Sequence, residues 1–153
     1  MSIFHSLNIS SSALTAQRMR MDVISSNMAN VDTTRARIVD GEWQPYRRKT
    51  VTMQPKEKQF SHFLHKAMDR SANREIGEGV KITRIQEDRE TDFKLVYHPN
   101  HPDANEEGYV RMPNVDPLRE MIDLMSATRS YEANITAFNA GKSMLMKTLE
   151  IGK

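Results

Sequence analysis

Two apolar lines that repeat every seven residues, one at each end of a 153-residue chain, restrict its fold more than any other feature. Leu7, Leu14, Met21 and Met28 recur at that interval, with Ile3, Ser10, Gln17, Ile24 and Val31 on a companion line. Near the other end, Leu124, Tyr131, Phe138 and Leu145 share one position, while Met121, Thr128, Ile135, Lys142 and Leu149 share a second. Such a repeat predicts α-helix, and two apolar positions in seven predict a coiled-coil seam, narrower than the face a helix lays on a broad core. The first helix would be about 40 Å long at about 1.5 Å per residue. Asp116 and Pro117 supply an N-cap acceptor and a proline at the first helical position, so the second helix starts there.

Between the two helices the period changes. "RIVDGEWQPYRRKTVTMQP" alternates around Gly41 and Pro45 and reads as short strands and turns. "QFSHFLHKAMDRS" suits one or two helical turns before the glycines of "GEG" at 77–79; "VKITRIQED" and "FKLVYHP" read as a strand pair; "NHPDANEEGYVRMPNV" reads as a proline-pinned loop. The expected fold is therefore α+β. Long N- and C-terminal helices (1–30 and 116–153) pair as an antiparallel coiled coil and bracket a small, mainly β insert (31–115).

A pair of helices has little interior. Burial of a Leu-sized side chain gives about 1.5 to 3 kcal/mol, while ordering one residue costs about 1 to 2 kcal/mol of backbone entropy. Phe4, Val23, Leu118, Ile122, Met125 and Met146 lie off the main seam and need neighbours to cover them, which points to lateral assembly. Four of the eleven methionines fall within 19–53 and four within 121–146, and their adaptable side chains suit surfaces that repack against more than one neighbour.

Composition narrows the function. No apolar run approaches the roughly 18 residues of a membrane span, and the spaced apolar residues of the first twenty do not make a secretory signal. With no cysteine there is no disulfide and no thiolate chemistry. The net charge is +2, spread as nine basic against five acidic residues in 1–60, eight against eleven in 61–116 and five against four in 117–153. No segment reads as a nucleic-acid arm, and "YRRKT" at 46–50 reads as a solvated strand face.

Several motifs imitate chemistry. "AGKS" at 140–143 resembles the end of a phosphate-binding loop, but Thr136 stands where that loop needs its first glycine, and the segment lies in a helical seam. His62 and His65, and His98 and His101, are three apart, yet Pro99 and Pro102 exclude a helix carrying the second pair, so exposed histidines are expected and no metal is assigned. The carboxylates of "QEDRETD" and "DANEEG" have no convergent base or pocket signature and read as solvated loop charge. No catalytic residue, cofactor or metal is expected.

The first helix closes on "SSNMANVDTT". Asn27 and Asn30 lie on one helical face beside small residues, which suits a helix stop that is also a polar register mark in a packed array. This stretch, preceded by "SALTAQRMRMDVI", resembles the N-terminal motif of bacterial flagellar rod, hook and hook-associated axial proteins, at Ser26, Asn27, Asn30, Val31 and Asp32. The segment 114–153, with "SYEAN" at 130–134, resembles the C-terminal helix of the same family, and the loop 101–115 points to a proximal rod subunit.

The resemblance implies a non-enzymatic driveshaft subunit, exported through the flagellar type III apparatus, with terminal helices packed side by side around a channel. Its partners would be copies of itself, other rod proteins, the export apparatus and the basal-body base, with no nucleic acid and no membrane span. Leu7, Leu14, Met21, Met28, Leu124, Tyr131, Ile135, Phe138 and Leu145 would form the helix-pairing interface. A soluble coiled-coil adaptor or export chaperone holding one amphipathic partner helix is the competing reading, and a small hydrolase using the histidine pairs is a third.

Overall fold

The computed structural model describes residues 3–39, 41–56 and 77–152. Helix α1 spans Ile3–Ala29 and helix α2 spans Pro117–Ile151. Between them lie β1 (Arg37–Val39), β2 (Glu42–Gln44), β3 (Lys49–Pro55), β4 (Val80–Glu87), β5 (Lys94–Tyr97) and β6 (Tyr109–Met112). The class is α+β, as expected. The helical turns expected from "QFSHFLHKAMDRS", together with His62 and His65, lie outside the described residues.

The strands form three two-stranded sheets, β1–β2, β3–β4 and β5–β6. Gly41, at φ 86°, takes the left-handed conformation that closes the β1–β2 hairpin. The runs at 80–88 and 93–99, expected to pair with each other, do not: β4 pairs with β3, and β5 pairs with β6, which lies in the segment read as loop. The Asp88 carboxylate turns the chain after β4 by accepting the N–H groups of Glu90 and Thr91, and Asn114 ties that turn to the end of β6 by donating to the Asp88 and Thr91 carbonyls. β5 is thereby delivered to the later strand.

The starts and stops follow the sequence. Asp116 Oδ1 accepts the Leu118 N–H at 3.2 Å, and the Glu120 N–H opens the helical ladder on the Asp116 carbonyl. At the other helix, Asn30 Nδ2 reaches back to the Ser26 carbonyl at 2.8 Å and satisfies one acceptor of the last turn.

The covered line on α2 differs from the expected one. It runs through Glu120, Leu124, Ala127, Tyr131, Asn134, Phe138, Gly141 and Leu145, so the Leu124 line is half-buried and the line beside it lies one residue earlier than Met121, Ile135, Lys142 and Leu149, while Thr128 is half-buried as well. Met121, Ile135 and Leu149 are exposed. The residues of that earlier line are small or polar, and at Gly141 the lack of a side chain is used: a Cβ there would come within 3.2 Å of Leu7 Cδ2. On α1, Leu7, Leu14, Met21 and Met28 are half-buried, and Ala16, Val23, Ile24 and Asn27 are more deeply covered. That helix is therefore covered on more than a two-in-seven stripe.

The chain divides into two compact units. One comprises Met19–Val51 and Arg84–Thr128, and the other Met1–Arg18, Thr52–Thr83 and Arg129–Lys153. In the first unit Val23, Ile24, Asn27, Tyr46, Val110, Asn114, Val115, Glu120 and Ala127 are buried. In the second, Ala16 alone among the described residues reaches that state. There Gly79 seats the start of β4 on α1: its φ is 104°, a Cβ would collide with Ser12 Oγ, and that hydroxyl accepts the Val80 N–H at 3.1 Å.

Candidate functional site

Asn27, the first asparagine of the motif, is 1% exposed, and all the hydrogen-bonding capacity of its carboxamide is used within the first unit. Its Nδ2 donates to the Lys49 carbonyl at 2.9 Å and to Glu120 Oε2 at 3.0 Å, while its Oδ1 accepts the Lys49 N–H at 2.9 Å and the Tyr46 hydroxyl at 3.1 Å. The side chain thus closes both backbone groups of Lys49, as a neighbouring strand would. An aspartate could not donate, and a glutamine would place its amide one methylene too far out. The residue type is dictated by a strand to be captured, not by a helix to be ended.

Glu120 lies on the far side of that carboxamide and is fully buried. A buried carboxylate persists when it is paired and hydrogen-bonded. Arg48 Nε donates to Glu120 Oε1 at 2.5 Å, and the Arg48 backbone N–H donates to Asn114 Oδ1 at 2.7 Å. A partly exposed rim continues the network: Asp123 accepts from Arg20 at 3.1 Å and from Arg48 at 3.5 Å. Four segments, the end of α1, the start of β3, the turn before α2 and the first turns of α2, converge on one node.

A second, outer set fixes the loops. Asp103 accepts from the Arg35 guanidinium and from Thr34 Oγ1, and these bonds hold its carboxyl below the ordinary carboxylate range, the Arg35 bond foremost. The Asp88 carboxyl is likewise lowered, chiefly by the Thr91 backbone N–H. His101 Nδ1 accepts the Asp103 N–H at 3.1 Å and so serves the loop fold. Among the described residues, no group of three or more His, Asp or Glu is placed to hold a metal ion, and no helix is long and apolar enough to cross a membrane.

The motif residues separate in role. Ser26 Oγ stands 3.4 Å from the Tyr46 hydroxyl, Asn30 caps the helix and accepts the Thr33 hydroxyl, the Val31 N–H bonds to the Met28 carbonyl, and Asp32 is exposed. Of the expected seam, Met21 meets Thr128, whose hydroxyl lies 3.6 Å from the Met21 sulfur, and Leu7 meets Gly141. Leu14, Met28, Leu124, Tyr131, Phe138 and Leu145 are half-buried, and Ile135 is exposed. The stretch 46–50, expected to be a solvated face, instead buries Tyr46 and leaves the Arg48 side chain 16% exposed. Alternation could not reveal this, because the acid that pairs with Arg48 lies 72 residues away.

Helices that carry these motifs at the two ends of the chain match known sequences at the same places. A family profile described as "Flagella basal body rod protein" matches residues 7–37, and one described as "Flagellar basal body rod FlgEFG protein C-terminal" matches residues 106–151. The flagellar basal-body rod protein FlgC of Bacillus subtilis is 65% identical over the full length of both chains. The chain belongs to the FlgC family of flagellar basal-body rod proteins. FlgC of Borreliella burgdorferi is 42% identical over 99% of this chain and 98% of its own, and FlgC of Escherichia coli O157:H7 is 40% identical over the whole of both. Both profiles fall on elements that build the polar node, Asn27 from one and Glu120 from the other. As a FlgC-family member, the chain is a structural subunit of the basal-body rod.

Proposed function

We propose that this subunit polymerises through its terminal helices, paired as an antiparallel coiled coil, into a driveshaft that transmits torque. The observation that carries the reading is the pattern of helix contacts: Asn27 with Glu120, Met21 with Thr128 and Leu7 with Gly141, so falling numbers on α1 meet rising numbers on α2. The rest of α2 supports assembly, since Leu118, Ile122, Met125, Met144 and Met146 are all more than half exposed. Burying such a surface against other copies and other rod proteins would supply the stability that two helices lack. Contacts that pair different surfaces of successive copies give open helical arrays when they do not close.

In this reading the segments 1–30 and 116–153 build the tube, and the insert 31–115, clamped to the helices at Asn27 and Glu120, stiffens it. The chain acts without catalysis, reaches its place by the flagellar type III route, and meets the export apparatus and the basal-body base on the way. The test is substitution of Leu124 and Phe138 by Asp in the source cell. Loss of the chain from purified basal bodies and loss of motility are expected. Normal rods carrying the doubly substituted chain at full occupancy would overturn the reading, and loss of a one-to-one partner with rods intact would favour an adaptor.

A further inference from the structure

The β5–β6 hairpin has one closed edge and one open edge. The His98 N–H bonds to the Gly108 carbonyl at 2.9 Å, so that pair faces across the ladder. Backbone groups of an antiparallel strand point alternately toward and away from the partner strand, so those of Leu95 and Tyr97 point away from β6, and those of Tyr109 and Arg111 away from β5. On the β6 side the edge is stoppered at Tyr109: its N–H is accepted by Asn105 Oδ1 at 2.8 Å, and its carbonyl accepts the Asn105 N–H at 2.9 Å. On the β5 side, no described residue bonds to the outward N–H and C=O groups of Leu95 or Tyr97.

The side chains are open at the same place. All four residues of β5 are exposed, Leu95 and Tyr97 at 65% each. Val96 lies on the inner face opposite Val110, yet it is 44% exposed where Val110 is 2% exposed, so that face ends one strand short. Proteins guard such edges with proline, a bulge or an outward lysine. β5 contains no proline, its register with β6 runs without a bulge, and the Lys94 ammonium is turned back onto the Val115 carbonyl at 3.0 Å. The strand is also held in shape, since the Tyr97 and Tyr109 rings meet edge to face at 5.3 Å and a Cβ at Gly108 would lie 3.0 Å from the Tyr97 ring. Little ordering is left for a partner to impose.

We infer that the β5 edge takes an added strand from a different protein of the rod, an extended segment with an apolar residue beside Val96 and a carboxylate beside Leu95. Main-chain bonds to Leu95 and Tyr97 give the pairing, and the side chains select the segment. The carboxylate follows from charge: Arg111 stands in the same row as Leu95 on the outer face and has no ion pair among the described residues. The described strands of a second copy do not supply the segment, because their carboxylates are Glu42 and Glu87 alone. The two-residue turn makes Glu42 a bonded partner of Val39, so the free side of β2 offers only the backbone of Trp43, and Glu87 is already paired with Arg37 at 3.1 Å. This inference rests on the reading of the chain as a rod subunit among other rod proteins, and it names one surface through which they meet.

Proline tests the edge without disturbing the ladder, because the Leu95 N–H points away from β6. L95P and L95A lose the same side chain, but only L95P loses the N–H. The two variants should have equal thermal midpoints as free chains, and L95P should reach an occupancy in purified basal bodies at least about tenfold below that of L95A. Equal occupancy of the two would overturn the added strand. Hydrogen exchange of the unsubstituted chain decides the matter even if L95P does not fold: the Leu95 and Tyr97 amides should exchange at least about a hundredfold more slowly in basal bodies than in the free chain. Equal rates would overturn the inference. The occupant is identified with R111K in basal bodies treated with a zero-length carbodiimide, which should join position 111 to an Asp or Glu of a different rod protein. Joining to a second copy, or no joining, would overturn that assignment. Absence of the unsubstituted chain from basal bodies would overturn the rod reading itself.

Discussion

The two compact units share the same helices yet are held in different ways. Among the described residues, the unit of residues 19–51 and 84–128 has a buried polar node and nearly all the buried side chains, whereas in the unit of residues 1–18, 52–83 and 129–153 Ala16 is the deepest position. Heptad pattern alone does not distinguish them. The described residues differ in what each helix segment meets: in the first unit α1 binds the start of β3 through a buried carboxamide, and in the second it receives the start of β4 through the Ser12 hydroxyl. The contrast fits the proposed assembly, in which the second unit would gain burial from neighbouring subunits.

The largest effect that tests this contrast is at Glu120. Glu120→Ala leaves the largely buried Arg48 with only the longer Asp123 contact and leaves Asn27 Nδ2 without an acceptor, and should cost about 3 to 5 kcal/mol in urea unfolding of the free chain. A loss below about 1 kcal/mol would mean the node does not hold the first unit. Asn27→Ala should cost about 2 to 4 kcal/mol, because the Lys49 N–H and the Tyr46 hydroxyl lose their acceptor and Glu120 loses a donor. Asn27→Asp should not rescue it, since it removes both donated bonds and sets a carboxylate beside Glu120.

The second unit should respond in the opposite sense. Gly141→Leu forces a side chain against Leu7, and overpacking of a fixed core costs about 1 to 3 kcal/mol. If that unit is only lightly held in the free chain, the variant should change the urea midpoint little, by less than about 1 kcal/mol, and yet abolish rod assembly and motility. Hydrogen exchange sharpens the same point: amides of residues 20–28 and 120–128 should exchange at least about tenfold more slowly than those of 6–14 and 134–148. Equal protection would erase the distinction between the units.

Acid gives the smallest effect. Asp88 and Asp103 have folded-state carboxyls below their ordinary value of 3.8, so the unfolded chain binds protons first. Their contribution is complete above that value and is lost as pH falls through the lower folded pKa. Asp88→Asn should therefore flatten the decline in stability below about pH 4, as read from thermal midpoints between pH 2 and 6. An unchanged acid limb would show that the Asp88 turn does not contribute.

Much of the helical frame is legible in residues alone. Asp116 and Pro117 start α2 where N-capping requires, Asn30 ends α1 where the last carbonyls need a polar donor, and the Leu124, Tyr131, Phe138 and Leu145 line lies on the covered side. These are local effects, set by residues within one or two turns. The covered line beside the Leu124 line lies one residue earlier than expected because hydrophobicity marks Met121 and Ile135, whereas covered positions here take the small Ala127 and Gly141, the latter with Leu7 against it. At 80–99 alternation identifies each strand but carries nothing about its neighbour, so the pairing of β4 with β3 and of β5 with β6 is not legible there.

The sequence by itself determined that the chain has a helix at each end, strands between, no cysteine chemistry, and a family signature at Asn27 and Asn30. Only the tertiary structure decided why Asn27 is an asparagine, that Arg48 is paired inside rather than solvated, and that the deeply buried side chains among the described residues gather in one unit. Capping and periodicity are properties of neighbouring residues. A buried amide or charge is instead chosen by whatever reaches it from 22, 72 or 93 positions away, and folding alone brings those groups together.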